Sequence, residues 1–405
     1  MTEAGDCLAR IEELEPRLHA FQAIRGEEAL AEAASVDPSL PLAGVPVAIK
    51  DNVDVAGLPT RAGSAATSDR PAERDDELVR RLRAAGCVVI GKTQMPELAV
   101  WPFTEPEAFP VPQNPLHPGM TPGGSTGGGA VAVAAGMARL ALGSDGGGSI
   151  RVPAACCGLV GIKPGPGIVP LANGAAEHWY GMTEFGPIAR TVADAALMLD
   201  VLAGADRYRH LQPVSGLRIA FSAAHPSLGV RAKPAIRSAL DRAQHALESA
   251  GHRVTRVRVP YPPTLGMHFS NRWLAGIAQD AQGLPTDKLE ERTRRMAKRG
   301  TKIACKVKPA AADPFGERMR SWFADYDALV TPTLTRPPVP IGTWAGKGWV
   351  RTMLGVANWI YTVPWNIARL PAASVPFAGT GVQLVGPPGS EGTLLALAAH
   401  LERLG

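Results

Sequence analysis

Ser149 follows three consecutive glycines in GSDGGGSIRVPA, residues 143–154, with Arg151 two positions beyond it. Each glycine raises the entropy cost of folding, so three bare positions beside a hydroxyl need a reason. A second glycine-rich stretch, PGGSTGGGAVAVAAG (122–136), holds Ser125 and Thr126 just ahead of an alanine-rich segment that reads as a buried helix. Its glycines therefore lie at a helix N-terminus, where free N–H groups gather and anions are favoured. In a third stretch, GVPVAIKDNVDVAGLPTRAGS (44–64), Lys50 ends an apolar run. Burial there favours the neutral amine, which is a usable base. Lys50, Ser125 and Ser149 thus offer a base and two hydroxyls with no histidine.

Other uses of these glycines fit less well. A phosphate loop of the Walker type needs a lysine after its second glycine, and a dinucleotide site needs G-x-G-x-x-G after a strand; neither is met. GGSTG (123–127) matches the G-x-S-x-G elbow of α/β-hydrolases. The stretch before it, PQNPLHPGMTP (112–122), carries four prolines and cannot be the interior strand such an elbow requires.

The elements that position these residues follow an α/β rhythm. Leu8, Ile11, Leu14, Leu18 and Phe21 recur at helical spacing. Short β-like runs stand at 45–49, 87–90, 159–162, 217–221, 254–259 and 328–330, with helices expected at 76–86, 191–203, 233–250 and 392–404. Soft boundaries fall at the proline-rich 260–264 and the basic, alanine-rich 286–313, so the chemistry is expected before residue 200, with the later part shaping a pocket.

Bulk properties bound the partners. The chain has 405 residues, 45% hydrophobic and 20% charged, with a formal net charge of +5. The basic residues are dispersed, and the densest run, 292–308, has no interleaved aromatics, which suits a solvated face and not nucleic acid. Five cysteines without C-x-x-C spacing fit a reduced compartment. The acidic, amphipathic start is unlike a signal peptide. The longest apolar stretch, 130–142, is too short for a bilayer and contains Arg139. A cytoplasmic protein is expected, with no membrane partner and with a homodimer left open.

These stretches resemble the amidase signature family, whose members hydrolyse amides with a Ser-cisSer-Lys triad. The resemblance rests on LAGVPVAIKDNVDVAGLPTRAGS, TPGGSTGGGAVAVAAG and LGSDGGGSIRVPAACCGLVGIKP, and on later matches such as GKTQMPELA, GPIARTVADAALMLDVLAG and PWNIARLPAASVP, in family order. It implies an α/β fold with a central mixed β-sheet covered by helices on both faces. It also implies one domain over 1–405, with a catalytic core near 44–204 and a shortened, variable region near 222–323. Carried over by position, Ser149 is the nucleophile, Ser125 the serine after a cis peptide, and Lys50 the base, with no metal or organic cofactor. Thr126 stands where the family commonly has serine.

With Ser149 in that role, the glycine run has a use. The N–H groups of Gly146, Gly147, Gly148 and Ser149 can face the oxyanion formed on attack, with no Cβ in the way. Relatives often carry a larger residue where Gly146 stands, implying a more flexible hole here. Asp145 and Arg151 read as an ion pair bracing the loop, and Asn366 as a tie to the second half. Cys156 and Cys157 read as small core residues. Trp101 and Phe103, and then His178, Trp179 and Tyr180, line the pocket or pack the core; as lining they select an apolar or aromatic amide. His178 alone suits a hydrogen-bonded packing residue, and Trp344, Trp349 and Trp359 are candidates to close the far side. A biosynthetic acyltransferase and an amidotransferase A-type subunit would use the same triad, and a non-catalytic binding protein would keep only the fold.

Overall fold

The computed structural model describes residues 2–404. The β-like runs become strands of one sheet: β1 (Phe21–Ile24), β2 (Pro46–Lys50), β3 (Val88–Thr93), β4 (Leu140–Asp145), β5 (Val160–Lys163), β6 (Glu184–Ala189), β7 (Arg218–Phe221), β8 (Arg253–Arg256), β9 (Ala328–Pro332), β10 (Ala372–Phe377) and β11 (Thr380–Val385). Their order is β1-β3-β2-β4-β6-β5-β10-β11-β9-β7-β8. The triplets β3-β2-β4 and β9-β7-β8 are parallel, and the remaining neighbours are antiparallel, so the sheet is mixed as expected.

Both faces are covered because side chains alternate along each strand. In β2, Val47 and Ile49 join the apolar layer under the helices Glu77–Ala84, Val192–Ala203, Pro234–Ser249 and Glu391–Leu404. Ala48 points into the opposite layer, shared with the helices Glu3–Leu18, Gly127–Ala134, Arg151–Cys156 and Leu265–Asp280. A strand buried on both sides has no polar face, which is why VPVAI reads as one apolar run.

Three expectations change. The N-terminal helix is capped by the Thr2 hydroxyl, which accepts from Gly5 N–H, and stops at Leu18; His19 turns left-handed at φ 50°, so Phe21 opens β1 and does not extend the helical stripe. β4 was hidden because its second half, Gly143-Ser144-Asp145, uses residue types poor in strands. The segment 286–313 is no break: it carries the helix Glu291–Ile303, which buries Met296 and approaches Leu265–Asp280 so closely that a Cβ at Gly300 would stand 1.8 Å from the Leu274 carbonyl oxygen. Arg294, Arg295, Lys298, Arg299 and Lys302 face solvent, whereas Arg292 lies over the Trp101 and Phe103 rings.

Candidate active site

The parallel pair β2 and β4 sets Ile49 opposite Leu142, so Lys50 emerges beside the end of β4, from which the loop 146–149 departs. The carboxyl ends of parallel strands are where α/β sheets place ligands. Lys50 is fully buried. Its Nζ lies 2.6 Å from Ser125 Oγ and donates to Ser144 Oγ at 2.8 Å; Asn52 Nδ2 donates to the same hydroxyl at 3.2 Å. Burial lowers the amine to a pKa of about 7, and the charge of Asp145 opposes the shift only in part. The peptide Gly124–Ser125 is cis, as the resemblance implied. Thr126 N–H donates to the Ser149 carbonyl oxygen at 3.2 Å, which ties the two serine loops together. Ser149 lines a cavity. The Lys50 to Ser125 link is therefore formed, while no direct hydrogen bond joins the two serine hydroxyls; such bonds often tighten only around a substrate. Ser144 and Asn52 were missed, because their link to Lys50 arises from strand register and leaves no local motif.

The glycine loop is held from both sides. The Gly148 N–H, expected to face an oxyanion, donates instead to Asp145 Oδ1 at 2.7 Å. This corrects its assignment: a donor committed to a buried carboxylate is not free for a substrate. Gly148 still has to be glycine, since its φ is 130° and a Cβ would meet Thr362 Oγ1 at 2.1 Å. Gly146, Gly147 and Ser149 keep N–H groups without a protein acceptor among the described residues. Arg151 grips the Asp145 carboxylate through Nε and Nη2, both at 2.9 Å, and reaches Thr362, Gln383 and Asn366. Asn366 donates to both the backbone and side-chain oxygens of Asp145. Burial alone would raise the Asp145 carboxyl, but the Arg151 charge and its hydrogen bonds, with those of Asn366, hold it well below the usual range. The expected brace is present.

The cavity beside Ser149 has a volume of about 380 Å³. Trp101 and Trp179 line it with Gly147, as do Phe269 and Trp273 from the helix Leu265–Asp280, and Met353 and Val356 from the helix Trp349–Ala357. Trp273 meets Trp101 edge-on with centroids 5.2 Å apart and stacks on Phe269 at 6.0 Å. No charged side chain lines it.

Four expected substrate contacts, and the three tryptophans expected at the far side, lie elsewhere. Phe103 stacks behind Trp101, and its backbone packs against Gly124. Thr126 is wholly buried at the start of the helix Gly127–Ala134. His178 hydrogen-bonds Thr183 and Asp280, as a packing residue does, and Tyr180 borders a separate groove. Trp344 packs on Phe103 and Trp359 is fully buried, so neither closes the cavity, and Trp349 does not line it. Phe269 and Trp273 were missed because they belong to the variable middle, where no motif marks them. Among the described residues no group of three His, Cys, Asp or Glu side chains is placed to hold a metal.

Comparison with known proteins agrees with this architecture. The family model described as Amidase matches residues 4–395. A Mycobacterium tuberculosis protein called AmiB2 is 44% identical over 428 aligned positions, covering 98% of this chain and 90% of its own. An acylamidase of Rhodococcus erythropolis is 32% identical, again over 98% of this chain and 90% of its own. Among solved structures, a 6-aminohexanoate cyclic dimer hydrolase superposes with a TM-score of 0.86 at 28% identity, covering 99% of this chain and 92% of that one.

Proposed function

The chain belongs to the amidase family and is an amidohydrolase, and from that premise we propose that it cleaves the C–N bond of a small, uncharged amide with an apolar or aromatic acyl or amine part, using Ser149, Ser125 and Lys50. Neutral Lys50 takes a proton from Ser125 as Ser125 takes one from Ser149, whose Oγ bonds to the carbonyl carbon. The carbonyl oxygen becomes an oxyanion facing the N–H groups of Gly146, Gly147 and Ser149, each worth about 3 kcal/mol in the transition state. The proton returns through Ser125 to the departing nitrogen, the C–N bond breaks, and Ser149 carries an acyl ester. Water, deprotonated by the same relay, then releases the carboxylic acid.

The observation that carries this reading is the buried Lys50 amine, with a pKa of about 7, 2.6 Å from the Ser125 hydroxyl beside the loop that bears Ser149. The uncharged, aromatic cavity supports the substrate class. It gives no charged partner for the α-amino and α-carboxyl groups of free glutamine, which weighs against an amidotransferase subunit. Five unpaired cysteines suit a reducing cytoplasm. The test is to treat the protein with a fluorophosphonate and map the adduct by peptide mass. A single adduct on Ser149, absent after Lys50→Ala, is expected; an adduct elsewhere, or none, overturns the assignment.

A further inference from the structure

Gly146 has no side chain, yet the space beside it is filled. A Cβ built there would stand 2.7 Å from Trp179 Cε3 and 2.9 Å from Thr183 Oγ1. The Gly146 backbone is outside the left-handed region, so only these neighbours, and not its own φ, forbid a larger residue. Trp179 is 4% exposed and borders the cavity beside Ser149. Its five-membered ring meets a second glycine: a Cβ at Gly276, in the helix Leu265–Asp280, would lie 2.4 Å from Trp179 Cδ1. The indole thus packs against two bare backbones, one of them that of a proposed oxyanion donor.

The ring is also held by its polar edge. Trp179 Nε1 donates to Asp280 Oδ2 at 2.7 Å, and the other carboxylate oxygen lies 3.0 Å from His178 Nε2. His178 stacks on Trp179 with centroids 5.5 Å apart, and its Nδ1 lies 2.8 Å from Thr183 Oγ1. Asp280, His178 and Thr183 therefore form one chain around the indole and return to Gly146. A tryptophan supplies a large rigid wall with few torsions to immobilise, and a fixed acceptor on its N–H selects one ring position.

We propose that Trp179 stands in for the missing side chain at position 146, limiting bulk next to the scissile carbonyl, and that Asp280 is a positioning residue fixing the ring there. The inference rests on Ser149 being the nucleophile. Clamping by Asp280 replaces the flexibility that three glycines would otherwise give the loop. The expected selectivity follows: acyl groups unbranched at the carbon next to the carbonyl are accepted, and branched ones are rejected by the indole.

The probes are the 4-nitrophenyl esters of propanoic acid and 2,2-dimethylpropanoic acid, which differ in bulk at that carbon and need no protonation of the leaving group. The readout is the ratio of their kcat/KM values. Trp179→Ala is expected to move this ratio toward the branched ester at least tenfold. Asp280→Ala and Trp179→Phe, which cut the N–H bond in two ways, should move it in the same direction by a smaller factor. A residue that only supports folding lowers both esters together and leaves the ratio fixed. A ratio within twofold of the parent in Trp179→Ala, or in both Asp280→Ala and Trp179→Phe, overturns the inference. Ser149→Ala separates this from failure of the proposed function. If that variant keeps parental activity, or the parent reacts with neither ester, the nucleophile assignment is wrong; if Ser149→Ala is inactive and the ratio stays fixed, only the role of Trp179 and Asp280 is wrong.

Discussion

A lysine amine sealed from water at the end of β2 is a weak cation, and the hydroxyls of Ser125 and Ser144 stand against it. If the relay runs through it, Lys50→Met lowers kcat by about 10²–10⁴-fold, the range of general-base catalysis. Lys50→Arg stays equally slow, because a guanidinium does not deprotonate. Steady-state rates on a neutral anilide check both, with thermal unfolding to show that each variant is folded. Recovery of the parent rate by arginine would mean that position 50 needs only charge. Lys50 was legible because a charge directly after an apolar strand is unusual. Gly148 was half legible: the need for glycine was clear, but its N–H belongs to Asp145, and a donor's partner cannot be read from spacing.

The glycine loop depends on β4 behind it and on the Asp145, Arg151 and Asn366 lattice that pins it to the C-terminal half. Removing one partner of a buried ion pair strands the other, at a cost of about 3–5 kcal/mol. Arg151→Met should lose this much in guanidinium chloride unfolding. The pH dependence has a definite sign. The native Asp145 carboxyl lies below its ordinary value of 3.8, so its stabilisation is complete above that value and is lost as pH falls toward the native pKa. The parent should therefore lose stability on acidification below about pH 4, and Arg151→Met, already without the pair, should lose less of it there. An equal acid loss in both would contradict the brace. At this scale the sequence was a partial guide. The ion pair showed in the spacing of Asp145 and Arg151, whereas β4 did not show as a strand, since its glycine and serine are tolerated only by pairing with β2 and β6 on either side. The helix Leu265–Asp280, which gives the cavity Phe269 and Trp273, lies in a segment whose pattern indicated only that it varies.

Over the whole molecule, the segments that follow β3 and β4 in the parallel triplet β3-β2-β4 line one cavity together with later helices, and the 42 lysines and arginines of the chain stay off that wall. A substrate charge entering it would lose water and find no partner, at a cost of several kcal/mol. Replacing a neutral acyl group by an isosteric one ending in a carboxylate should lower kcat/KM by at least about 10²-fold; equal rates would show that the true site is wetter than this cavity. The alternation of apolar runs and helices disclosed the α/β layering, because burial on both faces writes itself into composition. It did not disclose the pocket walls, because residues from 99 to 364 converge there only through topology. Activation of Ser149 by neutral Lys50 through Ser125 is read from the rate of fluorophosphonate labelling as a function of pH. A single adduct on Ser149 is expected, its rate rising with pH through about 7 and then levelling, as the amine of that pKa loses its proton. A flat profile from pH 5 to 9, or a rate unchanged in Lys50→Met, would contradict it.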